Sequence, residues 1–120
     1  MKSLLLSFRW AFEGIFYAVD TQRNLRIHLA VTVAVIVLGL FLGLSSIEWA
    51  VLALTISFVI SVEMINTAIE EMVNILSPAQ LPAAKRAKDV AAAAVLTAAF
   101  GAVFIGLFLF APKLFRLIFP

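Results

Sequence analysis

WAVLALTISFVISVEMINTAIEEMVNIL, residues 49–76, decides the architecture of this chain. Trp49 to Val62 carries no charge, and helical periodicity continues beyond it through Glu63 to Leu76. A run of this length, without the alternation of a strand, reads as a helix, and its uncharged first half places that helix in a membrane. Lipid offers no partner to backbone N–H and C=O groups, so a spanning segment must satisfy them within a helix or a closed barrel. Two further stretches reach the length of about 20 apolar residues that a span requires. One is 25–44, with Arg26 and His28 near its first end; the other is 90–111, apolar throughout. The latter holds Ala91–Ala94, Ala98, Ala99, Gly101, Ala102 and Gly106, small residues that let helices approach closely. Pro112 is expected to end it. The reading is one all-α integral membrane domain over residues 1–120, with membrane helices at 25–44, 48–76 and 84–111.

Composition agrees. The chain is 64% hydrophobic and 13% charged over 120 residues, against about half apolar and a quarter charged for a soluble domain. Its mean hydropathy is +1.13. The absence of cysteine excludes a disulfide framework, a thiolate nucleophile and a cysteine metal site. A single histidine argues against a zinc set, and His28 reads as an interfacial hydrogen-bonding residue. A net charge of +2 is too small to suggest nucleic acid. Arg9 and Glu13 interrupt the first apolar run and no small-residue cleavage pattern follows, so the start does not read as a signal peptide.

Residues 1–21 form a different element. Lys2, Arg9, Glu13 and Asp20 fall within about 40° of arc at 100° per residue. Leu4, Leu5, Leu6, Phe8, Trp10, Phe12, Ile15 and Phe16 take the rest. That is an amphipathic helix lying on the membrane surface with a narrow wet stripe; a short, poorly inserted leader is the competing reading. Residues 43–47 make a tight turn, and SPAQLP, residues 77–82, a longer connection. Basic residues set the orientation. With the N-terminus inside, Lys2, Arg9, Arg23, Arg26, Lys85, Arg86 and Lys88 are internal and only Lys113 and Arg116 external. The N-terminus and the 77–89 loop are therefore expected to be cytoplasmic. Trp10 and Trp49 read as interfacial anchors, and Glu48 as a solvated helix N-terminal charge.

Chemistry concentrates on the second span. Glu63, Asn66, Glu70 and Asn74 share one helix face within about 80°, while Glu71 points away and reads as a solvated surface residue. An ionisable group in a span costs about 3 kcal/mol or more at the bilayer centre and usually marks function; an ordinary wet helix end is the bland alternative. Carboxylates near an interface can hold Mg²⁺, whose shell is often completed by phosphates. A second carboxylate can accept a proton from a hydroxyl. Lys85, Arg86 and Lys88 follow across the loop, where Lys88 can neutralise phosphate and Asp89 can accept a hydrogen bond or assist a metal. Taken alone, the three cations could merely mark topology. Together the groups match what phosphoryl transfer to a lipid alcohol needs. No Walker loop is present.

EMINTAIE, residues 63–70, with AKDVAAAAVL, residues 87–96, resembles the prokaryotic diacylglycerol kinase family. RNLRIHL, residues 23–29, looks most like its undecaprenol kinase branch from Gram-positive bacteria. The resemblance runs from Phe8 to about Pro112. It implies a homotrimer of three-span subunits in the bacterial inner membrane, each with an N-terminal surface helix, and active sites shared between neighbours. It implies phosphorylation of a membrane lipid alcohol with ATP and Mg²⁺. Glu63 matches the general base and, with Asn66, the substrate site. Glu70 matches a metal-binding carboxylate that also serves ATP, and Lys88 and Asp89 match ATP-site residues. Trp10 falls where the family places an aromatic near the nucleotide. Gln22 stands where the family has a second metal-binding glutamate; it keeps an amide oxygen but brings no charge, and Asp20 is close enough in sequence to help. Residues 77–82 also depart from relatives that carry Glu-Tyr-His between the prolines, leaving the backbone of residues 79–81 to contribute there.

Undecaprenol is the expected acceptor. Diacylglycerol is the alternative within the same chemistry. A non-catalytic ion or proton conduit through Glu63 and Glu70 is the alternative outside it, and it leaves Lys88 and Asp89 without a purpose.

Overall fold

The computed structural model describes residues 2–79 and 81–119. Four helices follow in order: α1 (Lys2–Thr21), α2 (Arg23–Leu42), α3 (Ser46–Leu76) and α4 (Pro82–Ile118). α2, α3 and α4 are each long and apolar enough to cross a membrane. Their outward faces bear large hydrophobic side chains such as Phe58, Phe100, Phe104 and Phe108, all exposed. So much exposed apolar surface suits lipid and not water. The helix ends lie within two residues of the expected ones, with one exception.

That exception is Pro112. The sequence reading ends the third span at 111, yet α4 continues through the proline to Ile118. Proline removes one ladder N–H and crowds the preceding turn. The continuation gains two contacts in return. Leu114 packs on the small core of Leu44, Leu52 and Phe110, and the Lys113 ammonium meets the Glu48 carboxylate at 3.1 Å.

The α2–α3 turn closes tightly for a local reason. Gly43 sits at φ 65°, left-handed space that suits glycine, and the Leu44 N–H donates back to the Gly39 carbonyl. A Cβ on Gly39 would come within 2.9 Å of Leu44 Cδ1 and 3.0 Å of the Trp49 ring. Ser45 and Glu48 then start α3 with a reciprocal capping box: the Ser45 N–H donates to the Glu48 carboxylate and the Glu48 N–H to the Ser45 hydroxyl. Glu48, expected to be solvated, is thus half-buried, capped and paired.

α3 and α4 form the principal helix pair. Leu52, Val59 and Asn66 recur every seventh residue on the buried face of α3, and Ala91, Val95 and Ala98 form the buried face of α4. Methyl-sized residues there let the backbones approach. At 1.5 Å per residue, α3 is about 46 Å long and α4 about 55 Å, against a hydrocarbon core of about 30 Å. Counted from Ser46, Glu63 lies about 26 Å along α3 and Glu70 about 36 Å. The carboxylate stripe therefore lies at the end of α3 remote from the tight turn, passing from the edge of the apolar slab into the headgroup layer.

α1 leaves the bundle at Gln22, whose extended backbone (φ −102°, ψ 111°) breaks the chain between α1 and α2. Leu4–Leu6, Phe8, Trp10, Phe12 and Phe16 are exposed, as a helix bedded in a lipid surface requires. Arg9 and Glu13 of the wet stripe pair at 2.7 Å. The side chain of Lys2, assigned to the same stripe, lies outside the described residues, as does Gln80 of the 77–82 connection.

Candidate active site

The loop end of the bundle gathers side chains from all four helices. Glu63 is 2% exposed and Asn66 8%, both on the face of α3 turned toward its neighbours. From α2, His28 brings its Nε2 to 3.2 Å from Glu63 Oε1. The approach is close, but the ring N–H is not aligned with that oxygen, and Glu63 Oε1 has no hydrogen-bond partner. One turn on, the Asn66 amide donates to Glu70 Oε1 at 3.3 Å. Asn66 Oδ1 is likewise buried and unpartnered. Thr67 turns its hydroxyl back to the Glu63 carbonyl, as a buried threonine in a helix commonly does.

A buried polar atom without a partner costs about 1–3 kcal/mol. Two of them within one turn, on oxygens that can accept protons or coordinate a cation, mark this stripe as more than an ordinary wet helix end. Above the stripe, α4 delivers its cations. Lys88 Nζ donates to Asn74 Oδ1 at 3.2 Å, joining the start of α4 to the end of α3. Lys85 pairs with Asp89 at 2.8 Å, both exposed. These four line a small cleft of about 120 Å³ with Val73 and Ser77. Ser77 also accepts the Leu81 N–H, which shapes the altered connection.

α1 docks through a contact the sequence reading missed. Tyr17 donates its hydroxyl to Glu71 Oε1 at 2.9 Å. That hydrogen bond, with the carboxylate beside it, raises the Tyr17 phenol above its ordinary range. Glu71 is therefore half-buried and engaged, contrary to its reading as a solvated residue. Its signal was present in the sequence only as one more acid beside Glu70.

Not every expected residue joins the stripe. Gln22 is half-buried at the α1–α2 break, with no side-chain cap bond there. Its backbone carbonyl accepts the Arg26 N–H. Asp20 is exposed, and its backbone carbonyl takes the Arg26 guanidinium. Trp10 is 63% exposed on α1. Among the described residues no three His, Cys, Asp or Glu side chains cluster as a metal set. Mg²⁺ does not require one, since it commonly uses one or two carboxylates and completes its shell with water and phosphate. Glu70, beside the unpartnered Asn66 Oδ1, is a hard oxygen donor of the right kind.

An apolar groove adjoins the stripe. It holds about 330 Å³ between α2, α3 and α4, with His28 at one end and Leu52 and Phe110 toward the other. That volume is at the low end of the roughly 300–1,000 Å³ typical of small-molecule sites. Ala99, Ala102 and Gly106 leave the room for it on α4.

Comparison with known proteins bears on this arrangement. A profile of the prokaryotic diacylglycerol kinase family matches residues 9–110. The diacylglycerol kinase of Synechocystis sp. is 47% identical over 116 residues, covering 96% of this chain and 66% of that protein. The chain thus spans about two thirds of the length of that relative. The undecaprenol kinase of Bacillus subtilis is 43% identical over 108 residues, 90% of this chain and 88% of that one. The diacylglycerol kinase of Helicobacter pylori is 32% identical over 96 residues. No solved structure matches the chain.

Proposed function

The chain belongs to the prokaryotic diacylglycerol kinase family, and from that premise we propose that it is a lipid kinase that transfers the terminal phosphoryl group of ATP to the hydroxyl of undecaprenol. The observation that carries this reading is a buried carboxylate, Glu63, with an unpartnered oxygen, set against the residue that ends an apolar groove. A long apolar alcohol can lay its chain in such a groove and present its hydroxyl to Glu63.

Glu63 accepts the hydroxyl proton as the alcohol oxygen takes the phosphoryl group and ADP leaves. Asn66 holds Glu70 and offers its free oxygen to the acceptor side. Glu70 and Gln22 would hold Mg²⁺, which would supply charge neutralisation on the phosphates of ATP. Lys88 and Asp89, with Trp10 from α1, serve the nucleotide. Lys85 already pairs with Asp89 and belongs with them. The charge distribution supports a cytoplasmic N-terminus and 77–89 loop in the bacterial inner membrane, where ATP is available. The subunits act as a homotrimer with shared sites, which would give Gln22 and the exposed Trp10 a neighbouring chain to serve.

Diacylglycerol remains the second reading, because relatives of similar identity carry both names. Purified protein with MgATP is offered undecaprenol and diacylglycerol side by side and lipid phosphate is counted. Higher kcat/KM on undecaprenol is expected; preference for diacylglycerol reverses the substrate assignment, and phosphate on neither lipid removes the kinase reading.

A further inference from the structure

The partners of the stripe can be accounted for one at a time. The Thr67 hydroxyl is spent on the Glu63 backbone carbonyl, and the Asn66 amide on Glu70. Glu70, on the same helix, is a like charge and cannot hold the Glu63 carboxylate in place. What remains against that carboxylate from another helix is His28, whose Nε2 stands 3.2 Å from Oε1. A glutamate side chain has a loosely fixed terminal torsion. Buried without a partner, it would sample several orientations, and a proton acceptor must stand within hydrogen-bond reach of the proton it takes. The Nε2 already stands within hydrogen-bond distance of Oε1, so the bond lacks only alignment of the N–H.

The same ring also walls the groove, beside Ile27 and Val31 of α2 and facing Val59 and Ile60 of α3. His28 thus belongs both to the groove lining and to the surroundings of the Glu63 carboxylate. An interfacial anchor would sit exposed in the headgroup layer, whereas the His28 side chain is only 23% exposed.

We propose that His28 is the positioning residue of Glu63: its Nε2–H fixes the carboxylate across the α2–α3 interface, and its ring sets where a chain lying in the groove must stop relative to that carboxylate. The inference rests on Glu63 being the proton acceptor. Orientation is felt in the transition state more than in ground-state binding, so the effect belongs in kcat.

Two substitutions separate the hydrogen bond from ring bulk. His28→Phe keeps a ring and loses the donor; His28→Gln keeps an N–H at similar reach. His28→Phe should lower kcat on undecaprenol by about 10- to 100-fold, with KM for MgATP unchanged, and His28→Gln should recover most of that loss. Equal loss in both variants, or a loss confined to KM, overturns the proposal. A second measurement needs no turnover and no stable variant of His28. The chain has one histidine, so ¹⁵N-histidine labelling of the whole protein in detergent yields one imidazole. Its Nε2 resonance should move when Glu63→Gln replaces the wild type and stay in place in Glu48→Gln. A resonance indifferent to Glu63→Gln overturns the contact. Wild type inactive on every lipid alcohol removes the kinase reading and this role with it; active wild type with unimpaired His28→Phe removes this role alone.

Discussion

Each end of this bundle holds a carboxylate of α3 against a nitrogen from another helix at nearly the same distance. At the turn end, Glu48 meets Lys113 at 3.1 Å; at the loop end, Glu63 meets His28 at 3.2 Å. The resemblance stops there. Glu48 is about a quarter exposed, accepts the Ser45 N–H and completes a capping box. Its binding capacity is used, and it closes a turn. Glu63 is 2% exposed and has an oxygen with no partner. Burying a charge-bearing group so incompletely costs stability, and a fold that needed only a helix contact there would do better with leucine. The satisfied carboxylate closes a turn, and the unsatisfied one is the group on which the proposed chemistry rests.

The sharpest way to break that contrast is to neutralise each carboxylate in turn. Glu63→Gln keeps the shape and removes the proton acceptor. Turnover should fall by about 10²–10⁴-fold, the span of general-base contributions, with the thermal midpoint unchanged or raised. Glu48→Gln, measured in parallel, should hold kcat within about twofold, because it lies about 22 Å along α3 from Glu63. Near-full activity in Glu63→Gln would assign the proton elsewhere.

Next in size is the turn itself. Gly43→Ala places a Cβ in left-handed space at a cost of about 1–2 kcal/mol, read as a lower unfolding midpoint in detergent. Activity per folded protein should not change. A loss of turnover beyond the loss of folded protein would mean that the turn end reaches the site.

How far the contrast was legible in sequence differs between the ends. The loop-end stripe could be read directly, because Glu63, Asn66 and Glu70 fall on one helix face by spacing alone and charge in an apolar run is rare. The spans were legible for the same reason. The roles of His28, Tyr17 and Lys113 were not. Each depends on which side chain of another helix arrives opposite, and periodicity within one helix carries no such information. Pro112 misled for a physical reason: its local rule ends helices, but Leu114 packing and the Lys113–Glu48 pair continue this one. Glu71 was misplaced because its partner lies on α1, far off in sequence.

A smaller effect sharpens the loop end. Gln22→Glu places a charge where the family resemblance expects one. If Gln22 stands in the metal shell, the Mg²⁺ concentration for half-maximal activity should fall severalfold, since ligand charge is a main determinant of affinity for hard cations. An unchanged Mg²⁺ dependence would remove Gln22 from the shell and leave it with the role its backbone already has, breaking the chain between α1 and α2.

The smallest effect is expected at Lys113, and it tests whether the two ends are independent. Lys113→Met keeps the stem and removes the ammonium. Glu48 would still hold the Ser45 N–H at 2.7 Å, so the start of α3 stays capped and the carboxylate, partly exposed, can be hydrated. Ion pairs that water can still reach contribute little. The thermal midpoint should drop slightly, and kcat on undecaprenol should stay within about twofold, because Lys113 meets Glu48 at the opposite end of α3 from Glu63. Leu114 follows Lys113 and packs on the core that also holds Leu52, and Leu52 and Phe110 line the groove whose other end is His28. If Lys113→Met lowered kcat as deeply as His28→Phe, the groove would be coupling the ends, and the division between a closed end that holds and an open end that reacts would have to be given up.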